Sequence, residues 1–129
     1  MNNLIKIIEC FKGKKILVLG DVMLDKYIWG NVSRISPEAP VQVVEVVKES
    51  YAPGGAANVA NNITALGAKS IIAGVVGKDR TKEQLVSNLK RRDIDVSGLM
   101  EDENKRTIRK VRVFGRSQQL LRVDYEKKE

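Results

Sequence analysis

Two adjacent glycines, Gly54 and Gly55, open the run APGGAANVANNITALGAKSIIAGVVGKD over residues 52–79, and that run leaves few folds open to the chain. Behind them Ala56, Val59, Ala60, Ile63 and Leu66 recur at spacings of three and four, which predicts a helix from about Gly55 to Leu66. Gly67 stands where helices end in a left-handed residue. The next segment, KSIIAGVVG, is a continuous apolar run of the kind that forms a strand buried on both faces of a parallel sheet. A helix and a buried strand joined so tightly argue for right-handed crossovers and a parallel sheet, hence an α/β fold.

The flanking segments extend this pattern. KKILVLG at residues 14–20 reads as a first buried parallel strand, and TKEQ at residues 81–84 reads as a capping box before a helix carrying Leu85, Val86 and Leu89. VQVVEVV at residues 41–47 is β-branched and strand-like, and NVSRISPEAP before it, with Pro37 and Pro40, reads as a turn-rich connection. Residues 27–47 are therefore expected to form a small antiparallel excursion from the main sheet. TIRKVRVFG and QQLLRVDY in the tail read as strands joined by a glycine-containing turn. Near the start, Leu4, Ile7, Ile8 and Phe11 fall on one helical face interrupted by Lys6 and Glu9, an amphipathic helix and not a secretory or membrane-spanning segment.

Composition narrows the chemistry. The chain has no histidine and one cysteine, which argues against a zinc site, and leaves acid–base work to Asp, Glu or Lys. Cys10 excludes an internal disulfide, fits a reducing cytoplasm and is expected to be a small buried residue. The 23 Lys and Arg against 16 Asp and Glu give a net charge of +7, concentrated at NLKRRD and at ENKRTIRKVRVFGR. The first reads as a solvated helix end. The second contains one Phe for base stacking, which argues against nucleic acid and in favour of a phosphorylated small molecule.

Gly54 and Gly55 lack Cβ and allow the backbone to approach a ligand closely, ahead of the free N–H groups of a helix start. Asn58, Asn61 and Asn62 share a face opposite the apolar stripe, suited either to polyol hydroxyls or to water. Asp25, near the carboxyl end of the first strand, suits two sugar hydroxyls or a turn, and Asp21 suits a turn. GGAANV lacks the G-x-G-x-x-G spacing of a dinucleotide fingerprint.

Gly54, Gly55, Ala56, Asn58, Ala60, Gly67 and Gly77 resemble, in identity and spacing, the N-terminal signature of the ribokinase-like (PfkB) carbohydrate kinases, and ILVLGDVMLD resembles that family's first strand with its sugar-binding aspartate, here Asp25. The resemblance implies a ribokinase-like α/β fold, with residues 1–129 as the N-terminal portion of a mostly parallel sheet flanked by helices, and an antiparallel β lid at about residues 27–47. It implies a substrate site at Asp25, Gly54, Gly55 and Asn58. It implies ATP and Mg²⁺ as partners of the complete enzyme, with no metal ligand in this chain and neither nucleotide nor metal held tightly by it.

GDVMLDKYIWGNVSRISPEAPVQVVEV and RSQQLLRVD are further similar to those family members that phosphorylate heptose 7-phosphate at the anomeric hydroxyl for ADP-heptose and lipopolysaccharide synthesis. In that reading Arg112, Arg116 and Gln118 hold the sugar's phosphate. The alternative for them is a row of exposed charges on an edge strand. The family's D-T-x-G-A-G-D motif, which carries its catalytic base and anion hole, does not occur here, so the chain is expected to hold no catalytic residue and to be inactive alone. The resemblance also implies a homodimer through the lid, with Trp29 at the contact. A non-catalytic sugar-binding or dimerisation module, or a PfkB kinase for a different sugar, remains the rival reading.

Overall fold

The computed structural model describes residues 2–127. Its elements run α1 (Asn2–Glu9), β1 (Lys15–Leu19), β2 (Val22–Ile35), β3 (Gln42–Gly55), α2 (Ala56–Ala65), β4 (Lys69–Val76), α3 (Arg80–Lys90), β5 (Asp95–Glu101), β6 (Ile108–Gly115) and β7 (Gln118–Tyr125). They form two sheets. β1, β4 and β5 make a parallel sheet in the order β1-β4-β5, and the other four strands make a mixed sheet in the order β3-β2-β6-β7.

In the parallel sheet, Ser70, Ile72 and Val76 turn inward toward α2 and α3, where Ile72 and Val76 join Val22, Leu24, Ala57, Ala60, Leu85, Leu89 and Ile94 in the core. Strand alternation sends Leu17, Leu19, Val75 and Met100 to the opposite face, where they are 62%, 78%, 43% and 69% exposed. The expectation that the first strand is buried is thus corrected. β1 is a boundary strand of its sheet, and among the described residues only one of its faces is covered.

The lid is larger than the expected residues 27–47. β2 and β3 pair antiparallel from Val22↔Gly55 out to Ile35↔Gln42, so residues 31–35 belong to a strand and the turn shrinks to residues 36–41. β6 then lies parallel to β2 from Met23↔Ile108 to Gly30↔Gly115, and β7 folds back on β6. β5, over DVSGLME, has no counterpart in the sequence reading. Its mixture of Asp, Ser and Gly hides a strand that pairing with β4 creates.

Helix boundaries were nearly legible, with one correction at α3 and two more in which residues are buried. α3 is capped by Asp79, whose carboxylate accepts from the Lys82 N–H at 2.8 Å, so the helix begins before the expected Thr81 cap. On α2, Ala57 and Ala60 are buried while Val59 is 49% exposed, because close packing against the sheet selects the small side chains. Cys10 is exposed, just beyond α1, not buried as expected.

Candidate functional site

The junction of β2, β3 and α2 is built around the two glycines. Gly55 has φ +56° and ψ −132°, a conformation that L side chains rarely adopt, and a Cβ there would lie 2.5 Å from the Asp21 carbonyl oxygen. The bend lets the Ala56 N–H donate to that carbonyl at 2.9 Å, fixing the start of α2 against the exit of β1. Gly54 is buried for a different reason. A Cβ on it would come within 2.8 Å of Asp25 Oδ1 and of Met23 Cγ. The first glycine makes room for a carboxylate, and the second makes the turn.

Asp25 lies four residues into the second strand and not at the end of the first, which corrects its expected place. Its side chain is 14% exposed, and its Oδ1 stands 3.2 Å from Arg112 Nη1. Both atoms are buried and neither has a partner of good hydrogen-bond geometry, so the pair keeps unmet donor and acceptor capacity. Leaving such groups unmet costs about 1–3 kcal/mol each. A hydroxyl, which donates and accepts at once, could satisfy both atoms together.

Arg112 belongs to β6, which is flanked by β2 and β7, so it is not an edge-strand charge. Arg116 and Gln118 sit elsewhere. Both are exposed at the β6–β7 turn, where Arg116 has φ +48° and Gln118 pairs with Gly115, opposite Gly30. Gly30 is five residues along β2 from Asp25, about 17 Å at the rise of a strand. The structure therefore brings Arg112 to Asp25 and leaves Arg116 and Gln118 at the lid's far end. Asn58 is exposed in the first turn of α2. The expected polar face divides, because Asn61 accepts from Arg92 Nη1 at 3.2 Å.

Sequence reasoning did not single out the aromatic surface beside Asp25. Tyr27, Trp29 and Phe114 stack with ring centroids 5.6–6.3 Å apart, Arg112 lies 5.5 Å over Tyr27, and Lys48 lies 5.3 Å over Trp29. Positions 25, 27 and 29 alternate to one face of β2, and 112 and 114 to the same face of β6. The period-two spacing was present in the sequence, but the β2–β6 register that joins the two sets was not.

Comparison with known proteins bears directly on this arrangement. The model of the pfkB family of carbohydrate kinases matches residues 13–127. The chain belongs to that family. Among curated relatives, a bifunctional protein HldE of Desulfatibacillum aliphaticivorans is 50% identical over 122 residues, covering 95% of this chain and 25% of the relative. One from Helicobacter pylori strain J99 is 53% identical over 116 residues, covering 90% of this chain and 25% of the relative. The chain thus spans about a quarter of the length of these relatives. A carbohydrate kinase from Agrobacterium tumefaciens superposes with a TM-score of 0.69 at 22% identity, covering 87% of this chain and 35% of that one. An uncharacterized sugar kinase from Pyrococcus horikoshii, solved in complex with ATP, gives a TM-score of 0.59 at 25% identity, covering 84% and 33%. The ribokinase-like α/β fold of this pfkB-family chain is established by these matches, and no helix among the described residues is long and apolar enough to cross a membrane.

Proposed function

We propose that this pfkB-family chain forms the sugar-binding part of an ATP-dependent kinase whose substrate is heptose 7-phosphate, phosphorylated at its anomeric hydroxyl on the way to ADP-heptose and lipopolysaccharide. The observation that carries the reading is the buried, unsatisfied Asp25–Arg112 pair beside Gly54. Family membership supports a carbohydrate substrate, and the similarity of residues 20–46 and 116–124 to heptose-phosphorylating members supports the choice of sugar.

In this reading the carboxylate of Asp25 accepts from sugar hydroxyls, and Arg112 donates to a hydroxyl or phosphate oxygen while its guanidinium rests on Tyr27. Gly54 makes room for that carboxylate, Gly55 makes the turn into α2, and Asn58 offers its amide from the first turn of the helix. Arg116 and Gln118 serve this site only if the sugar's phosphate reaches toward the far end of the lid, which makes them its outer contacts. ATP supplies the phosphoryl group when bound. Among the described residues no group of three or more His, Cys, Asp or Glu is placed to hold a metal ion, and the part assigned to this chain is orientation of the acceptor. The same reading includes a cytoplasmic homodimer joined through the lid, whose outer strand β3 exposes Val46 and Val47 at 54% and 70%.

Calorimetric titration of Asp25→Asn in the complete kinase tests the assignment. Sugar-phosphate affinity is expected to fall by about 100-fold, with binding of a non-hydrolysable ATP analogue unchanged. Unchanged sugar affinity refutes the site.

A further inference from the structure

On the opposite face of the lid from Asp25, we infer a second ligand site that takes a tetrahedral oxyanion of the phosphate class. It is a cavity of about 240 Å³ lined by Asp79, Thr81, Arg106, Thr107, Arg109 and Tyr125. Arg109 pairs in register with Leu24 and Tyr125, one residue out of step with Asp25, so strand alternation places it on the other side of the sheet.

Arg109 lies 4.2 Å over the Tyr125 ring and Arg106 5.9 Å over it. Stacking occupies the face of a guanidinium and leaves its in-plane N–H donors free. For Arg109 that freedom is costly. Its Nε is buried and has no hydrogen-bond partner. A buried, unpaired donor on a charged group calls for a missing acceptor.

The acidic side chains around the cavity do not supply one. Asp79 faces it, but its Oδ1 accepts from the Lys82 N–H and its Oδ2 from the Thr107 N–H, both at 2.8 Å. On β7 and just beyond it, Asp124 is held by Arg122 at 2.9 Å and Glu126 by Lys110 at 3.1 Å. At the end of β5, Glu101 pairs with Lys82, and Glu103 lies 3.4 Å from Lys78. These five carboxylates are thus engaged, while no ion pair among the described residues includes Arg106 or Arg109. An oxyanion placed between the two guanidinia would supply the acceptor Arg109 lacks, and the Thr81 hydroxyl lines the same wall. Because the cavity joins the start of α3 to β6 and β7, such an anion would tie the base of the lid to the helical layer.

Titration of the full chain with inorganic phosphate, in phosphate-free buffer at constant ionic strength and followed by ³¹P NMR, tests the site. Saturable binding with a Kd of about 1 mM is expected, with competition by sulfate and none by chloride. Arg109→Gln and the exposed Arg106→Gln should each weaken it by about 10-fold. Arg34→Gln and Lys48→Gln, each of which removes a charge remote from the cavity, should leave it unchanged. Absence of saturable binding, full binding by Arg109→Gln or Arg106→Gln, or equal loss in either control would overturn the inference. Arg106→Gln keeps the test decisive if Arg109→Gln does not fold.

Discussion

Alanine at Gly54 separates a residue that serves the candidate site from one that serves the fold. The added methyl would stand 2.8 Å from Asp25 Oδ1 and 2.9 Å from its Cγ. Ordinary contact begins near 3.4 Å, so the carboxylate must retreat by about 0.6 Å. That shift spoils its 3.2 Å approach to Arg112. Misplacement by about 1 Å costs up to about 100-fold in positioned chemistry, so sugar-phosphate affinity in the complete kinase should fall by about 10-fold. Stability should fall by only about 1 kcal/mol, since Met23 and Asp25 are side chains that can give way. Gly55→Ala should show the opposite balance. Its φ of +56° and a Cβ at 2.5 Å from a backbone oxygen that cannot swing aside imply a loss of about 2–4 kcal/mol. Urea denaturation and calorimetric sugar titration on both variants provide the two readouts. Wild-type affinity in Gly54→Ala, or loss of affinity that merely tracks stability across the pair, refutes the reasoning.

Asp79 gives a pH-dependent prediction. Partial burial opposes its ionisation, but the N–H donors of Thr107 and Lys82 outweigh burial and hold its carboxyl below the usual value. A lowered folded-state pKa adds stability that is present above the unfolded value of about 3.9 and is lost as pH falls through the folded value. Asp79→Ala should therefore cost about 1–2 kcal/mol at pH 7 in urea denaturation, and the gap to wild type should close below about pH 4; a gap independent of pH contradicts this account. The chain by itself should show no ATP-dependent phosphorylation in a coupled ADP-release assay, and turnover above the blank would place the chemistry in residues given no such role here. Sedimentation equilibrium should show a dimer that Trp29→Ser weakens, since removing the indole breaks the stack with Tyr27 and Phe114; a monomer throughout, or a dimer indifferent to the change, counts against a lid contact at Trp29.

Much of the framework was written locally. Gly67, with φ +96°, ends α2 as a residue without Cβ can, and the periodic apolar residues of α2 and β4 declared a helix and a strand, because these signals act over one or two turns of chain. Gly54 and Gly55 were legible because they belong to a spaced family signature, and Asp25 because ILVLGDVMLD resembles a family strand that carries an aspartate. What the sequence left open depends on register between distant strands. Only the parallel pairing of β2 with β6 sets Arg112 beside Asp25, carries Arg116 to the far turn and assembles Tyr27, Trp29 and Phe114 on one surface. Asp79 shows the same division. Its helix-capping bond to Lys82 spans three residues, whereas its bond to the Thr107 N–H spans 28 and exists only because β6 begins beside α3. Local periodicity selects the elements, but side chains on strands separated by some 80 residues meet only after the sheet has fixed their pairing, and that pairing is settled by burial and backbone hydrogen bonding across the whole fold.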